Sequence, residues 1–226
     1  MPASDVSATG HRWALQSGKC SDYTIKCQGT EFTTHKTLLM LHCQYFAALF
    51  NSSFEETINS CSEFDDVDPD IMAHLLDYIY RGNTEWKVPE DNLITMVHIW
   101  ILADRLLADD VKAAVEDRID SKLGLYPGSD DVADTVLLDL VFNHPACAKS
   151  FVADLIAEAA WGAGVTHYRA HRINPSVTYR IIEKAAADHV ELAAIMLECS
   201  YRCNGYGGRS CRQVFLQERK ENRQVS

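Results

Sequence analysis

Cysteine and histidine are the side chains of this 226-residue chain whose spacing raises the question of a zinc site. Cys199, Cys203 and Cys211 follow one another as C-x3-C and C-x7-C, and His167 and His171 stand four apart, about one helical turn. Three or four such groups would make a tetrahedral zinc site. C-x2-C pairs are the usual spacing of structural zinc sites, and that spacing is absent. The eight cysteines are therefore read as reduced and unligated, in a chain without a secretion-type leader. Gly205, Gly207 and Gly208 do not make a phosphate loop, because no Lys-Ser or Lys-Thr follows them. There is no nucleophile elbow and no HExxH, and scattered Ser, His and Asp are not a catalytic geometry. The expectation is no enzyme, no metal and no cofactor.

What remains is the chemistry of recognition. Phe54-Glu55-Glu56 sets an aromatic two residues before an acid, the kind of anchor that enters a partner's pocket beside a defined charge. Phe54 is equally a candidate core residue. Asp22 opens an alternating run, and His35 and Lys36 close it; His35 is read as a packed, hydrogen-bonded histidine. Lys+Arg total 21 against 32 Asp+Glu, a formal net charge of −11. Such a surface repels a phosphate backbone, so nucleic acid is not an expected partner. Arg209, Arg212, Arg219, Lys220 and Arg223 make the last residues locally basic, but Glu218 and Glu221 dilute them, and a solvated helix is expected there. No run approaches the ~20 apolar residues of a membrane span, so no membrane is expected and the chain is read as soluble and intracellular, cytoplasmic or nuclear.

Those residues need elements to position them. Residues 1–10 are small and polar, and residues 1–13 are read as a disordered tail. Tyr23, Ile25 and Cys27 alternate with Thr24 and Lys26; Gln28-Gly29 signals a turn, and residues 31–34 resume extended character. A β-hairpin over 22–34 follows. Leu38 to Leu41, then Tyr45, Phe46, Leu49 and Phe50, suit one or two buried helices, and a short strand is expected within 58–64. Asp68-Pro69-Asp70 starts a helix whose stripe is Ile71, Met72, Leu75, Leu76 and Ile79, closed by Arg81-Gly82. A helix after Pro89 turns Leu93, Val97, Trp100 and Ile101 inward; the next, capped by Asp109, ends at Gly124. The stretch "GLYPGSDD" reads as a boundary, followed by helices over 132–143, 146–163 and 175–199.

Taken in order, "SDYTIKC", "EFTTHKTLL", "YFAALFNSSFEET", "DDVDPDIMAHLLDYIYRGNTEW" and "LADRLLADDVKAAVEDRI" resemble the BTB/POZ domain in the form common among small fungal proteins. The resemblance implies an α+β fold over residues 14–123, a small sheet packed on a helical cluster, with a mainly helical, cysteine-bearing extension over 124–226. It implies a homodimer through apolar residues near the N-terminal half, where Trp13, Leu15 and the Leu38–Leu41 run lie. It places Lys36 opposite Asp22, either as two solvated charges or as a charged pocket that receives peptides. In relatives that recruit a cullin-type ubiquitin-ligase scaffold, the triplet corresponding to Phe54–Glu56 supplies the anchor. The expected function is a self-associating interaction module, a substrate adaptor of such a ligase. A scaffold or transcription-linked assembly protein without a ligase, and a metal-binding module using the C-terminal Cys and His residues, stand as alternatives.

Overall fold

A computed structural model describes residues 17–52, 59–83, 86, 92–125, 130–170, 177–203 and 215–221. By its internal contacts the chain divides into two compact units, residues 1–115 and 116–226. Phe54 and Glu56, Trp13 and Leu15, and the 1–13 tail lie outside the described residues.

The first unit begins with the expected hairpin. Strand β1 (Tyr23–Cys27) pairs antiparallel with β2 (Thr30–Thr34), Tyr23 opposite Thr34 and Cys27 opposite Thr30. The two residues between them, Gln28 and Gly29, have φ of 47° and 85°. Positive φ at both central positions is the tight turn whose twist matches paired strands, and glycine takes it without steric cost. Tyr23, Ile25 and Cys27 are buried on one face, as the alternation requires. Strand β3 (Cys61–Glu63) adds to the other side of β1 in parallel, giving the order β2-β1-β3. The buried Tyr23 hydroxyl and Ser62 Oγ, 2.6 Å apart, tie that junction.

The apolar run after the hairpin forms two helices, α1 (Lys36–His42) and α2 (Gln44–Phe50), broken where Cys43 turns extended at φ −127°, ψ 111°. Helix α3 (Pro69–Arg81) starts as expected: the Asp68 carboxylate accepts from Asp70 N at 2.8 Å, Pro69 needs no partner in the first turn, and Gly82 stops the helix at φ 72°. Its residues Met72, Leu75, Leu76 and Ile79 are each no more than 2% exposed, while Ile71 is only half-buried. Each such burial contributes about 1.5–3 kcal/mol. Helix α4 (Leu93–Arg105) buries Leu93, Val97 and Trp100 and leaves Ile101 half-buried. Helix α5 (Asp109–Leu125) takes Asp109 as its first residue rather than its cap, and runs one residue past Gly124.

The second unit is helical among the described residues. A 3-10 turn (Asp130–Val132) leads to α6 (Thr135–Asn143), capped by Asp134, whose carboxylate accepts from Val136 N at 2.8 Å. Helix α7 (Phe151–Ala170) buries Phe151, Val152, Leu155, Ile156, Ala160 and Ala163. Apolar residues that run around a helix, rather than along one stripe, mark a central helix. The expected helix over 175–199 is two, α8 (Val177–Asp188) and α9 (Val190–Cys203), separated at His189. His189 is 7% exposed, with Nε2 2.8 Å from Asp139 Oδ1 on α6 and its ring 6.0 Å from that of Phe142. Residues 215–221 form a last helix, α10. It is not the solvated helix expected from its charges: Phe215 and Leu216 are buried.

Candidate partner-binding site

The hairpin hands over to α1 through a set of hydrogen bonds that fixes His35 and Lys36. His35 N–H donates to the Tyr80 hydroxyl at 3.0 Å, and His35 Nδ1 lies 2.7 Å from the same oxygen. Nε2 is 2.9 Å from the Lys19 carbonyl, which only accepts. In the neutral ring the Nε2 hydrogen therefore points to Lys19, and Nδ1 accepts from Tyr80. His35 is thereby the packed, hydrogen-bonded residue that its position suggested. Burial, with a smaller contribution from the Asp22 charge, pushes the Tyr80 phenol up to about 12 against the opposing His35 N–H bond, so it stays a donor.

Asp22 and Lys36 are brought together, but through the backbone. Asp22 Oδ1 accepts from Lys36 N at 2.8 Å, satisfying one of the N–H groups that a helix start leaves without a partner. The Lys36 ammonium goes elsewhere: it donates to Ser60 Oγ at 3.3 Å and lies 5.6 Å and 5.4 Å from the ring centres of Tyr23 and Phe50. A cation held over two rings is attracted by their π faces, by about 0.5–2 kcal/mol depending on exposure. Lys36 is half-buried and Asp22 exposed.

Beside this junction, α1 presents apolar surface outward. Leu39 is fully buried, whereas Met40 is 37% and Leu41 74% exposed. His42, at the end of α1, reaches Asp110 through Nδ1 at 2.5 Å and meets the Tyr78 ring edge-on. Two thiols nearby, Cys43 and Cys27, are fully buried. Burial, then the Asp110 charge, raises Cys43 to about 12; burial, then Asp66 and Asp65, raises Cys27 to about 11. The thiolate, the nucleophilic form, is thus suppressed. Among the described residues no group of His, Cys, Asp and Glu gathers as a metal set, and no helix is long and apolar enough to cross a membrane. His167, His171, Cys203 and Cys211 lie outside the residues whose side chains are described.

The hairpin, the paired short helices, the parallel third strand and the capped helix all lie within residues 14–123, which the family model of the BTB/POZ domain matches. Residues 14–123 are a BTB/POZ domain. The domain's fold is α+β, and the domain is a protein-interaction module. Human Inhibitor of Bruton tyrosine kinase is 31% identical over 122 residues, 52% of this chain and 9% of that protein. Kelch-like protein 40 of Xenopus laevis is 41% identical over 64 residues, 28% of this chain and 10% of that protein. Mouse TD and POZ domain-containing protein 4 is 30% identical over 100 residues, 44% of this chain and 26% of that protein. The chain thus spans about a quarter or less of these relatives' lengths. They are vertebrate proteins, and the fungal slant of the sequence resemblance is not borne out. Among solved structures, the BTB domain of zebrafish PATZ1 aligns with a TM-score of 0.43 at 19% identity, covering 54% of this chain and 97% of that one. The BTB domain of human Gigaxonin aligns with a TM-score of 0.39 at 24% identity, covering 51% and 92%.

Proposed function

We propose that this chain is a self-associating adaptor, which recruits a cullin-type ubiquitin-ligase scaffold through its BTB/POZ domain and selects a target through residues 124–226. The observation that carries self-association is the exposure of Leu41 and Met40 on α1, directly after the buried Leu39. A leucine three-quarters exposed on an ordered helix gains most of its transfer free energy only when a partner covers it. A second copy offers the same patch, as a two-fold interface requires. Asp22 and Lys36 are assigned to the partner surface on the family resemblance; the Asp22 carboxylate is exposed and the Lys36 ammonium is held against aromatic rings. Phe54 and Glu56 are assigned as the scaffold anchor on their sequence pattern.

The deciding experiment pairs thermal unfolding with a cullin pull-down on Phe54→Ala and Glu56→Lys. An anchor predicts binding weakened about tenfold or more, since 1.4 kcal/mol is one decade, with little change in melting temperature. Loss of about 3–5 kcal/mol of stability in Phe54→Ala, with no cullin binding in the wild type, would make Phe54 core and the protein a scaffold without a ligase.

A further inference from the structure

Helix α10 is seated in the second unit as a bound peptide would be. It follows α9 after residues 204–214, which carry Gly205, Gly207 and Gly208. Phe215 and Leu216 are 2% and 6% exposed. One turn on, Arg219 reaches two carboxylates: Nη1 lies 3.6 Å from Asp154 Oδ1, and Nη2 donates to Glu198. Its guanidinium also covers the Phe215 ring at 5.4 Å. Lys220 Nζ is 3.7 Å from Asp117 Oδ1 and 5.4 Å from the centre of the Phe151 ring. These partners stand on three helices, Asp117 on α5, Phe151 and Asp154 on α7, and Glu198 on α9. Asp154 has no exposed surface, so its charge is viable only with compensating partners, of which Arg219 is one.

An apolar pair followed by basic residues one turn later, set against an acidic wall, is how an amphipathic helix is read in a groove. We propose that the groove bearing Asp117, Phe151, Asp154 and Glu198 is a recognition site for helical segments of the form aromatic-Leu-x-x-Arg-Lys on a target protein, and that α10 fills it in cis until such a target displaces it. The inference rests on the reading of residues 124–226 as the target-selecting part. Charge complementarity argues for the occupant: the groove offers three carboxylates, and the segment meets them with Arg219 and Lys220. Being part of the same chain gives α10 an effective concentration at the groove on the order of 1 mM. An intrinsic dissociation constant of about 10 μM would then keep the groove about 99% filled, raising the apparent constant of any competitor about 100-fold. The device therefore rejects weak basic helices and yields to strong ones.

The test uses the full chain and a labelled synthetic peptide of residues 213–223, followed by fluorescence anisotropy and thermal unfolding. Wild type is compared with Phe215→Ala/Arg219→Ala, which frees the groove, and with the same variant carrying Glu198→Lys. Expected are a cooperatively folded double variant, peptide binding about 100-fold tighter than to wild type, and loss of that binding with Glu198→Lys. A folded double variant that binds no tighter than wild type overturns the proposal. So does binding indifferent to Glu198→Lys. Loss of cooperative unfolding in the double variant also overturns it, because α10 is then a fixed part of the core. Self-association and cullin recruitment are not read by this assay, so its failure and theirs are separable.

Discussion

At the scale of single residues, the junction between hairpin and helix depends on a carboxylate used as a remote cap. Asp22 serves α1 from fourteen positions upstream by accepting the Lys36 N–H. Asp22→Ala should cost about 1 kcal/mol, within the range of lost caps, while Asp22→Asn should keep most of it because an amide oxygen also accepts. Denaturant unfolding of the two variants checks this; equal losses would mean that the charge, not the acceptor, matters. The buried thiols make a second prediction, about pH. Cys27 and Cys43 have folded values raised to about 11 and about 12 from an ordinary 9.0. The fold binds the thiol proton more tightly than the unfolded chain does. Their contribution is therefore complete below about pH 9 and is lost as pH rises through about 11 to 12. Tyr80, raised from 10.0 to about 12, adds to the same alkaline loss. Unfolding measured from about pH 8 to pH 10.5 should show falling stability, with a shallower slope in Cys43→Ala. An identical slope in the variant would remove Cys43 from the account.

At the scale of elements, α1 carries the self-association prediction. Leu41 is exposed and contributes little to the folded monomer, so Leu41→Asp should leave the melting temperature nearly unchanged. It should also weaken self-association at least about tenfold, by burying a carboxylate in an apolar interface. Sedimentation at several concentrations reads the second effect, and an unchanged equilibrium would place the interface elsewhere. The elements themselves were legible in the sequence wherever a local signal exists. Gln28-Gly29 marked the hairpin turn, and Asp68-Pro69 with Gly82 marked both ends of α3. The breaks at Cys43 and His189 were not legible, because neither residue is a helix breaker and the apolar pattern continues across both. There, tertiary contacts such as His189 with Asp139 override local propensity. The candidate site was legible in part. Resemblance paired Asp22 with Lys36, but only coordinates show that the backbone, not the ammonium, makes the bond. Arg219 against Asp154 joins positions far apart in sequence, and charge counting alone made it a solvated residue.

At the scale of the molecule, the two compact units divide between Val115 and Glu116, within the continuous helix α5, whereas the family match ends at residue 123. A helix is one hydrogen-bonded ladder, so we propose a module boundary near its C-terminal end, where the family match also stops, with residues 14–123 as the BTB/POZ module and 124–226 as the extension. The sheet has a consequence in time. Strands β1 and β2 are neighbours along the chain, joined by a two-residue turn, and a hairpin of that kind closes in about 1–10 μs. The parallel pairing of β1 with β3 joins Thr24 to Cys61 across the residues of α1 and α2, a longer loop to close, so it is expected to form later. The third strand should therefore be absent from the folding transition state. Ser62→Ala, which removes the bond to the Tyr23 hydroxyl, should speed unfolding severalfold and leave the folding rate almost untouched. A chevron whose folding arm drops instead would put β3 in the nucleus; the wiring of the sheet predicts that β3 is the last strand to join and the first to let go.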